Sequence, residues 1–410
     1  MDQSPSRPAL DFDPPRLLFI SNEIPHNAAA GSIVLNWLLA DYPSDRLFVV
    51  TNQSPPTQAL RLDCPYHTIE LPLDRLRRTR FNRHRSSARV LGASRLTSTQ
   101  RVKRVLGEFE PDIIVTVMQD SWCYDLAAKY AREHGKPLLL IVMDLAHGFE
   151  TVPRWLQSRQ LNQDKEIFHQ ASGRMLISPG MNEFCEEFFG QKGSVLLPGP
   201  RADDLPSQPT ENCRTLKHPE RLTIGYAGGL HYGYGEQIKA MLPILREQGI
   251  QMEICSPIPS GSLASLVEDS DVLNFLGYQS PPNKAWSLLI EKCDVVLQPY
   301  LNPPQNHELQ YRTHFPSKLA GCLSLGLPLL ITGPSYASGT RWCIEHPDCA
   351  CVVDSPDPAA LSEALIRLRN DHAWRVRLAA NGRAATAEFE TSRQVAAFHR
   401  LLQETQSSPS

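Results

Sequence analysis

Short apolar runs bounded by glycine, proline or polar clusters recur along the chain, and longer stretches with helical spacing lie between them. Residues 16–20, 47–51, 66–71, 112–118, 137–143 and 175–178 read as buried strands. The apolar stretch 31–42, opened by Gly31 and Ser32, and the stretch 124–134 read as helices. Strands alternating with helices in this way build βαβ units, whose crossovers require a parallel sheet. Residues 199–220 break the alternation with a polar, proline-rich segment that has no periodicity and marks a linker. The alternation then resumes, with strands at 222–226, 251–255, 272–275, 294–298, 327–332 and 350–353 and helices at 237–248, 286–292, 359–369 and 373–388. The expected fold class is α/β, with two Rossmann-like, doubly wound parallel sheets facing a cleft. The expected bounds are a disordered tail at 1–15, a first domain at 16–200, a hinge at 201–220, a second domain at 221–390, and a helix end with a polar tail at 391–410.

In such sheets ligands bind beyond the carboxyl ends of the strands, so the residues just after each strand carry the candidate chemistry. Gly228 and Gly229 directly follow a strand, where bare backbone can approach a diphosphate; a plain tight turn explains them equally well. The run GYAGGLHYGYG holds no G-x-G-x-x-G register, which argues against a nicotinamide enzyme. Residues 311–334 place Arg312 and His314 in a loop, Pro316 and Ser317 at a helix start, Lys318 in its first turn and Gly326 at its end. A basic side chain beside the free N–H groups of a helix start suits a phosphate-bearing ligand. In MDLAHGFE, at a strand end, Asp144 and His147 are the catalytic candidates, with Glu150 nearby: a carboxylate or imidazole there can accept a hydroxyl proton. The plainer alternative is a helix cap and a surface histidine.

Composition narrows the partners. The net charge of −3 over 410 residues gives no global pull on nucleic acid. No apolar run approaches the ~20 residues of a membrane span, and the polar start lacks the form of a signal peptide, so a cytoplasmic location is expected. The ten cysteines are scattered through apolar segments, as reduced core thiols would be. Cys343, His346, Cys349 and Cys351 lack the usual zinc spacing, and no metal site is expected. Residues 74–104 carry eleven Arg or Lys against one acid, Asp74. That stretch suits an anionic membrane surface or a phosphorylated acceptor, or else a solvated loop; without interleaved aromatics it does not suit nucleic acid.

Five segments, in order, resemble the GT-B glycosyltransferases, above all the large family-4-type group (glycosyl transferases group 1). They are ISPGMNEFCEEFFGQKGSVLLPGP (177–200), LTIGYAGGLHYG (222–233), NFLGYQSPPNKAWSLLIEKCDVVLQPY (274–300), HFPSKLAGCLSLGLPLLITG (314–333) and CACVVDSPDPAALSEALIRLRND (349–371). The resemblance implies a nucleotide-diphosphate sugar in the second domain and a glycan, lipid-linked or small-molecule acceptor in the first. Catalysis is then expected in the cleft, by hexosyl transfer with retention, with no cofactor. It places Gly228, Gly229, Ser317 and Lys318 at the diphosphate, Gly277 and Tyr278 at the base, and Gly31 in the glycine loop of the acceptor domain. Lys318, with Ser317 and nearby N–H groups, would neutralise the leaving diphosphate without a metal. Two departures stand out. Thr313 and Gly321 occupy the places of two usual glutamates, with Glu308 a stand-in for one. His231, Tyr232 and Tyr234 follow the glycine loop where a second basic residue is common, with Arg312 or Arg201 as substitutes. The alternative expectation is a catalytically degenerate GT-B-like protein that binds a nucleotide or glycan. The partners expected are a nucleotide sugar and an acceptor, with peripheral contact at the inner membrane face through 74–104.

Overall fold

The structure, a computed structural model, describes residues 13–27, 30–76, 79–144, 152–200, 215–230, 233–269, 271–279, 282–300 and 308–407. The chain forms two compact units, one of residues 1–197 with 392–410 and one of residues 198–391.

The first unit holds β1 (Leu17–Ile20), β2 (Leu47–Thr51), β3 (Tyr66–Thr68), β4 (Ile113–Val117), β5 (Leu138–Val142), β6 (Gly173–Leu176) and β7 (Ser194–Val195). They form a seven-stranded sheet in the order β3-β2-β1-β4-β5-β6-β7, every pair parallel. The second unit holds β8 (Thr223–Ala227), β9 (Gln251–Cys255), β10 (Leu273–Phe275), β11 (Val295–Pro299), β12 (Leu329–Thr332) and β13 (Cys351–Val353). Its six strands run in the order β10-β9-β8-β11-β12-β13, again all parallel. Both units are thus doubly wound α/β sheets. All the residues of β1, β2, β4 and β5 are buried, because parallel strands are covered on both faces, and this is why they read as unbroken apolar runs. Strand order reverses between β1 and β4 in one sheet and between β8 and β11 in the other; a ligand crevice opens at such a switch point.

Three regions differ from the sequence expectation. Within 74–104, the solvated-loop reading gives way to two helices, Asn82–Val90 and Thr99–Leu106. Arg85 and Arg89 point inward and are buried. Arg85 meets Asp120 at 3.0 Å and Asp74 at 2.9 Å, while Arg89 meets Asp125 at 2.7 Å and Asp164 at 3.0 Å. Tyr124 Oη donates to the same Asp164 oxygen at 2.8 Å. Burial pushes the Asp164 carboxyl above its ordinary range, and Arg89 and Tyr124 oppose that shift. The second region is the helix Arg154–Gln170, which supplies Asp164. Its buried residues are Leu156, Gln160, Asp164, Ile167 and Phe168, so its inner face is partly polar and gives no clean apolar stripe.

The third is the chain end. A helix end and a polar tail were expected over 391–410; the helix Thr391–Ser407 takes up most of that span, with Phe398, Leu401, Leu402 and Thr405 buried. It belongs mostly to the first unit: Gln394 Oε1 accepts from Leu197 N at 3.0 Å, and a Cβ at Gly173 would lie 2.0 Å from Thr405 Oγ1. At the other end, Asp13 and the Pro14 and Pro15 carbonyls are held by Arg46 and Tyr42; residues 1–12 of the expected tail lie outside the described residues.

Candidate functional site

The second sheet's switch point carries the strongest constellation. Tyr226 is on β8, Gly228 and Gly229 form the turn just beyond it, and Tyr300 follows β11. Gly228 has φ +148°, a conformation open to glycine, and its N–H donates to Cys255 O at 3.0 Å. Tyr226 Oη donates to Gly229 O at 2.7 Å and pins the turn. The Lys318 side chain reaches into this turn from the far segment. A Cβ built on Gly228 would lie 1.6 Å from Lys318 Nζ and 2.8 Å from its Cε. The missing glycine side chain is therefore the space that the lysine amine fills.

Lys318 Nζ also lies 5.3 Å from the ring centroid of Tyr226 and 5.9 Å from that of Tyr234. Tyr234 opens the helix Tyr234–Glu247 and leans on Tyr300 (6.1 Å between centroids), which meets Tyr311 edge-on at 5.4 Å. Burial holds the Lys318 amine below its usual range, with the Cys322 thiol acting weakly in the other direction. Among the described residues no carboxylate forms an ion pair with it. The geometry presents a cation on aromatic faces, above bare backbone, at the carboxyl end of a parallel sheet. An anionic group of substrate size suits such a place.

Not every residue expected here joins this cluster. Lys318 precedes the helix Leu319–Ser324 rather than standing in its first turn. Leu319 N is bonded to Pro316 O and Cys322 N to Lys318 O, and the Lys318 side chain brings the cation of the site. Ser317 is half-buried in the preceding turn, and Arg312 is half-buried on the helix Glu308–Thr313. Gly277, with φ +75°, and the exposed Tyr278 follow β10, at the sheet edge, with β9 between them and β8. Thr313 is buried and donates to Leu309 O at 2.8 Å. Gly321 is covered by an indole: a Cβ there would lie 3.1 Å from Trp286 Cζ2. His231, Tyr232 and Arg201 lie outside the described residues. Tyr226 and Tyr311 were not singled out from the sequence; their spacing follows strand ends and loops, which no periodicity joins.

The first sheet's switch point carries a polar network. Asn22 Nδ2 donates to Gln119 Oε1 at 3.1 Å, Asp120 N to Asn22 Oδ1 at 3.1 Å, and Gln53 Nε2 to Asn22 O at 2.7 Å. Gly31 sits in the first turn of the helix Ala30–Leu39, where a Cβ would lie 3.1 Å from Glu23 Oε1 and 3.6 Å from Met143 Sδ. Ser32 Oγ donates to Glu23 Oε1 at 2.5 Å. Glu23 was not singled out as a residue, although its loop was. Asp144 is half-buried just beyond β5, next to Met143; His147 and Glu150 lie outside the described residues.

Cys343, Cys349 and Cys351 are buried, and His346 stacks on Trp342 and meets Glu388 at 3.2 Å, so these side chains serve the packing of the second unit. Among the described residues no cluster of His, Cys, Asp or Glu is placed to hold a metal ion, and no helix is long and apolar enough to cross a membrane.

No protein-family model and no curated protein matches the chain. Solved structures do, along almost the whole length. Sucrose-phosphate synthase from Thermosynechococcus elongatus is 16% identical with a TM-score of 0.64, over 94% of this chain and 98% of that one. Anabaena HepE in complex with UDP is 14% identical with a TM-score of 0.65, over 95% and 99%. The lipopolysaccharide outer core galactosyltransferase WaaB is 16% identical with a TM-score of 0.61, over 94% and 99%. The fold is that of the GT-B glycosyltransferases.

Proposed function

We propose that the chain is a glycosyltransferase that takes a hexosyl group from a nucleotide-diphosphate donor held at Lys318 and Gly228 in the second unit. One observation carries this reading: the Lys318 amine lies over the glycine turn at the β8/β11 switch point, with no carboxylate among the described residues to neutralise it. There it can stabilise the charge that grows on a departing diphosphate, so the reaction needs no metal ion. Arg312 and Ser317 from the same segment, with Gly229 from the turn, complete the diphosphate end, and Gly277 with Tyr278 take the base. UDP in the HepE complex, on a similar fold, supports a nucleotide as the ligand. The first unit takes a glycan, lipid-linked or small-molecule acceptor. There Asp144 and His147 accept or orient the hydroxyl proton. Exposed arginines of 74–104, such as Arg83 and Arg104, meet an anionic membrane surface on the cytoplasmic side.

The test is a panel of UDP-, GDP- and ADP-sugars followed by thermal shift and by nucleotide release with candidate acceptors. Release that persists in excess chelator and yields the donor's own anomeric configuration supports metal-independent, retaining transfer. Absence of any shift with every nucleotide rejects the reading. A second reading, a nucleotide-binding protein that no longer transfers, is favoured by Gly321, which lacks a carboxylate and lies against the Trp286 indole, where a Cβ would make a tight 3.1 Å contact. It predicts a thermal shift without nucleotide release.

A further inference from the structure

The aromatic surroundings of Lys318 ask for an explanation that the nucleotide reading alone does not supply. A buried or half-buried lysine ordinarily gains a carboxylate, since an unpaired ammonium out of water is costly. Here the groups that face it are Tyr226 from β8, Tyr234 from the helix Tyr234–Glu247 and Cys322 from its own helix, with Tyr300 behind Tyr234. Burial raises the pKa of each, Tyr234 and Cys322 to about 12, so all of them are neutral at physiological pH. The amine is held by ring faces, and its position is fixed further by the space that Gly228 leaves open.

We propose that Tyr226 and Tyr234 are positioning residues: their ring faces seat the Lys318 amine above Gly228, so that an arriving diphosphate, and not a protein carboxylate, supplies its counter-charge. This rests on the reading of Lys318 as a diphosphate ligand and adds what orients it. A carboxylate partner would have to be displaced by each incoming anion, whereas a ring face is weak enough to yield. Because the free amine sits partly out of water, diphosphate binding favours its charged form, and the site takes up a proton above the pH at which the ligand-free lysine titrates.

The experiment reads the Lys318 amine directly. The full chain is acylated with acetic anhydride across pH 7 to 11 and the rate at Lys318 is followed by mass spectrometry, with the exposed Lys192 as the internal reference. The same titration is run with UDP, GDP or ADP, and with Tyr234→Phe and Tyr234→Leu. Calorimetry with each diphosphate and its nucleoside accompanies it. In the wild type, Lys318 titrates below Lys192, and the bound diphosphate moves it up. Tyr234→Phe keeps a ring face and behaves as the wild type. Tyr234→Leu removes a ring face that favours the charged form, so it moves Lys318 further below Lys192 and weakens diphosphate binding about three- to tenfold, with nucleoside binding unchanged. A wild-type Lys318 that titrates together with Lys192 overturns the seat, and this holds even if Tyr234→Leu does not fold. So does a Tyr234→Leu variant unchanged in both titration and diphosphate affinity. If Lys318 responds to Tyr234 but none of the diphosphates alters its titration, the seat is supported and the nucleotide reading falls.

Discussion

Lys318 and Gly228 act as one device, and each constrains the other. Any side chain at 228 takes the place of the amine, since a Cβ there would lie 1.6 Å from Nζ, and φ +148° disfavours an L residue in any case. Gly228→Ala is expected to cost about 1–3 kcal/mol of stability and to weaken diphosphate binding, which chemical denaturation and calorimetry measure separately. The lysine also sets a pH dependence. Its folded pKa is depressed below the ordinary value near 10.4, so between the two values the unfolded chain binds more protons than the folded one. Stability of the free protein therefore rises with pH across that window. Diphosphate affinity runs the opposite way, falling as pH climbs through the depressed value, because the anion prefers the ammonium. Calorimetry at stepped pH checks the sign; affinity that climbs with pH contradicts it.

At the scale of elements, the buried arginines show what a basic run can hide. Arg89 joins the helix Asn82–Val90 to Asp125 on the helix Ser121–Glu133 and to Asp164 on the helix Arg154–Gln170. Its removal strips Asp125 and Asp164 of this counter-charge, with the Tyr124 hydroxyl left on Asp164, so Arg89→Ala is expected to cost about 3–5 kcal/mol in a denaturation curve. Arg83, exposed on the same helix, changes stability by about 0.5 kcal/mol or less when replaced. In sequence, Arg83, Arg85 and Arg89 are indistinguishable members of one basic run. Hydrophobic patterning made the strands legible because parallel sheets bury both faces; 47–51 and 251–255 match the observed β2 and β9. It missed the helix Arg154–Gln170, whose inner face holds Gln160 and Asp164, because a satisfied polar contact leaves no mark in an apolar pattern. The site shows the same limit. Gly228 and Lys318 were legible from their places after a strand and at a helix start, whereas Tyr226 and Tyr311 come together only through the parallel pairing of β8 with β11 and the return of the segment after it.

On the scale of the molecule, the chain repeats one plan twice and then returns to the first unit. The helix Thr391–Ser407 completes that unit, with Phe398 and Leu402 buried and Gly173 making room for Thr405. Phe398→Ala is expected to cost about 3–5 kcal/mol in the unfolding of the first unit and to leave nucleotide affinity in the second unchanged. A matching loss of nucleotide affinity in a folded variant contradicts that separation. In the second unit, Lys318 at the switch point is proposed to bind the diphosphate of a nucleotide. Calorimetry of the wild type and Lys318→Ala with UDP, GDP and ADP and with the corresponding nucleosides tests it most directly. Lys318→Ala is expected to weaken binding of the preferred diphosphate about tenfold or more, the scale of a lost charge-assisted contact, while the nucleoside binds as before. Equal losses for diphosphate and nucleoside would contradict it and make the lysine a part of the packing alone.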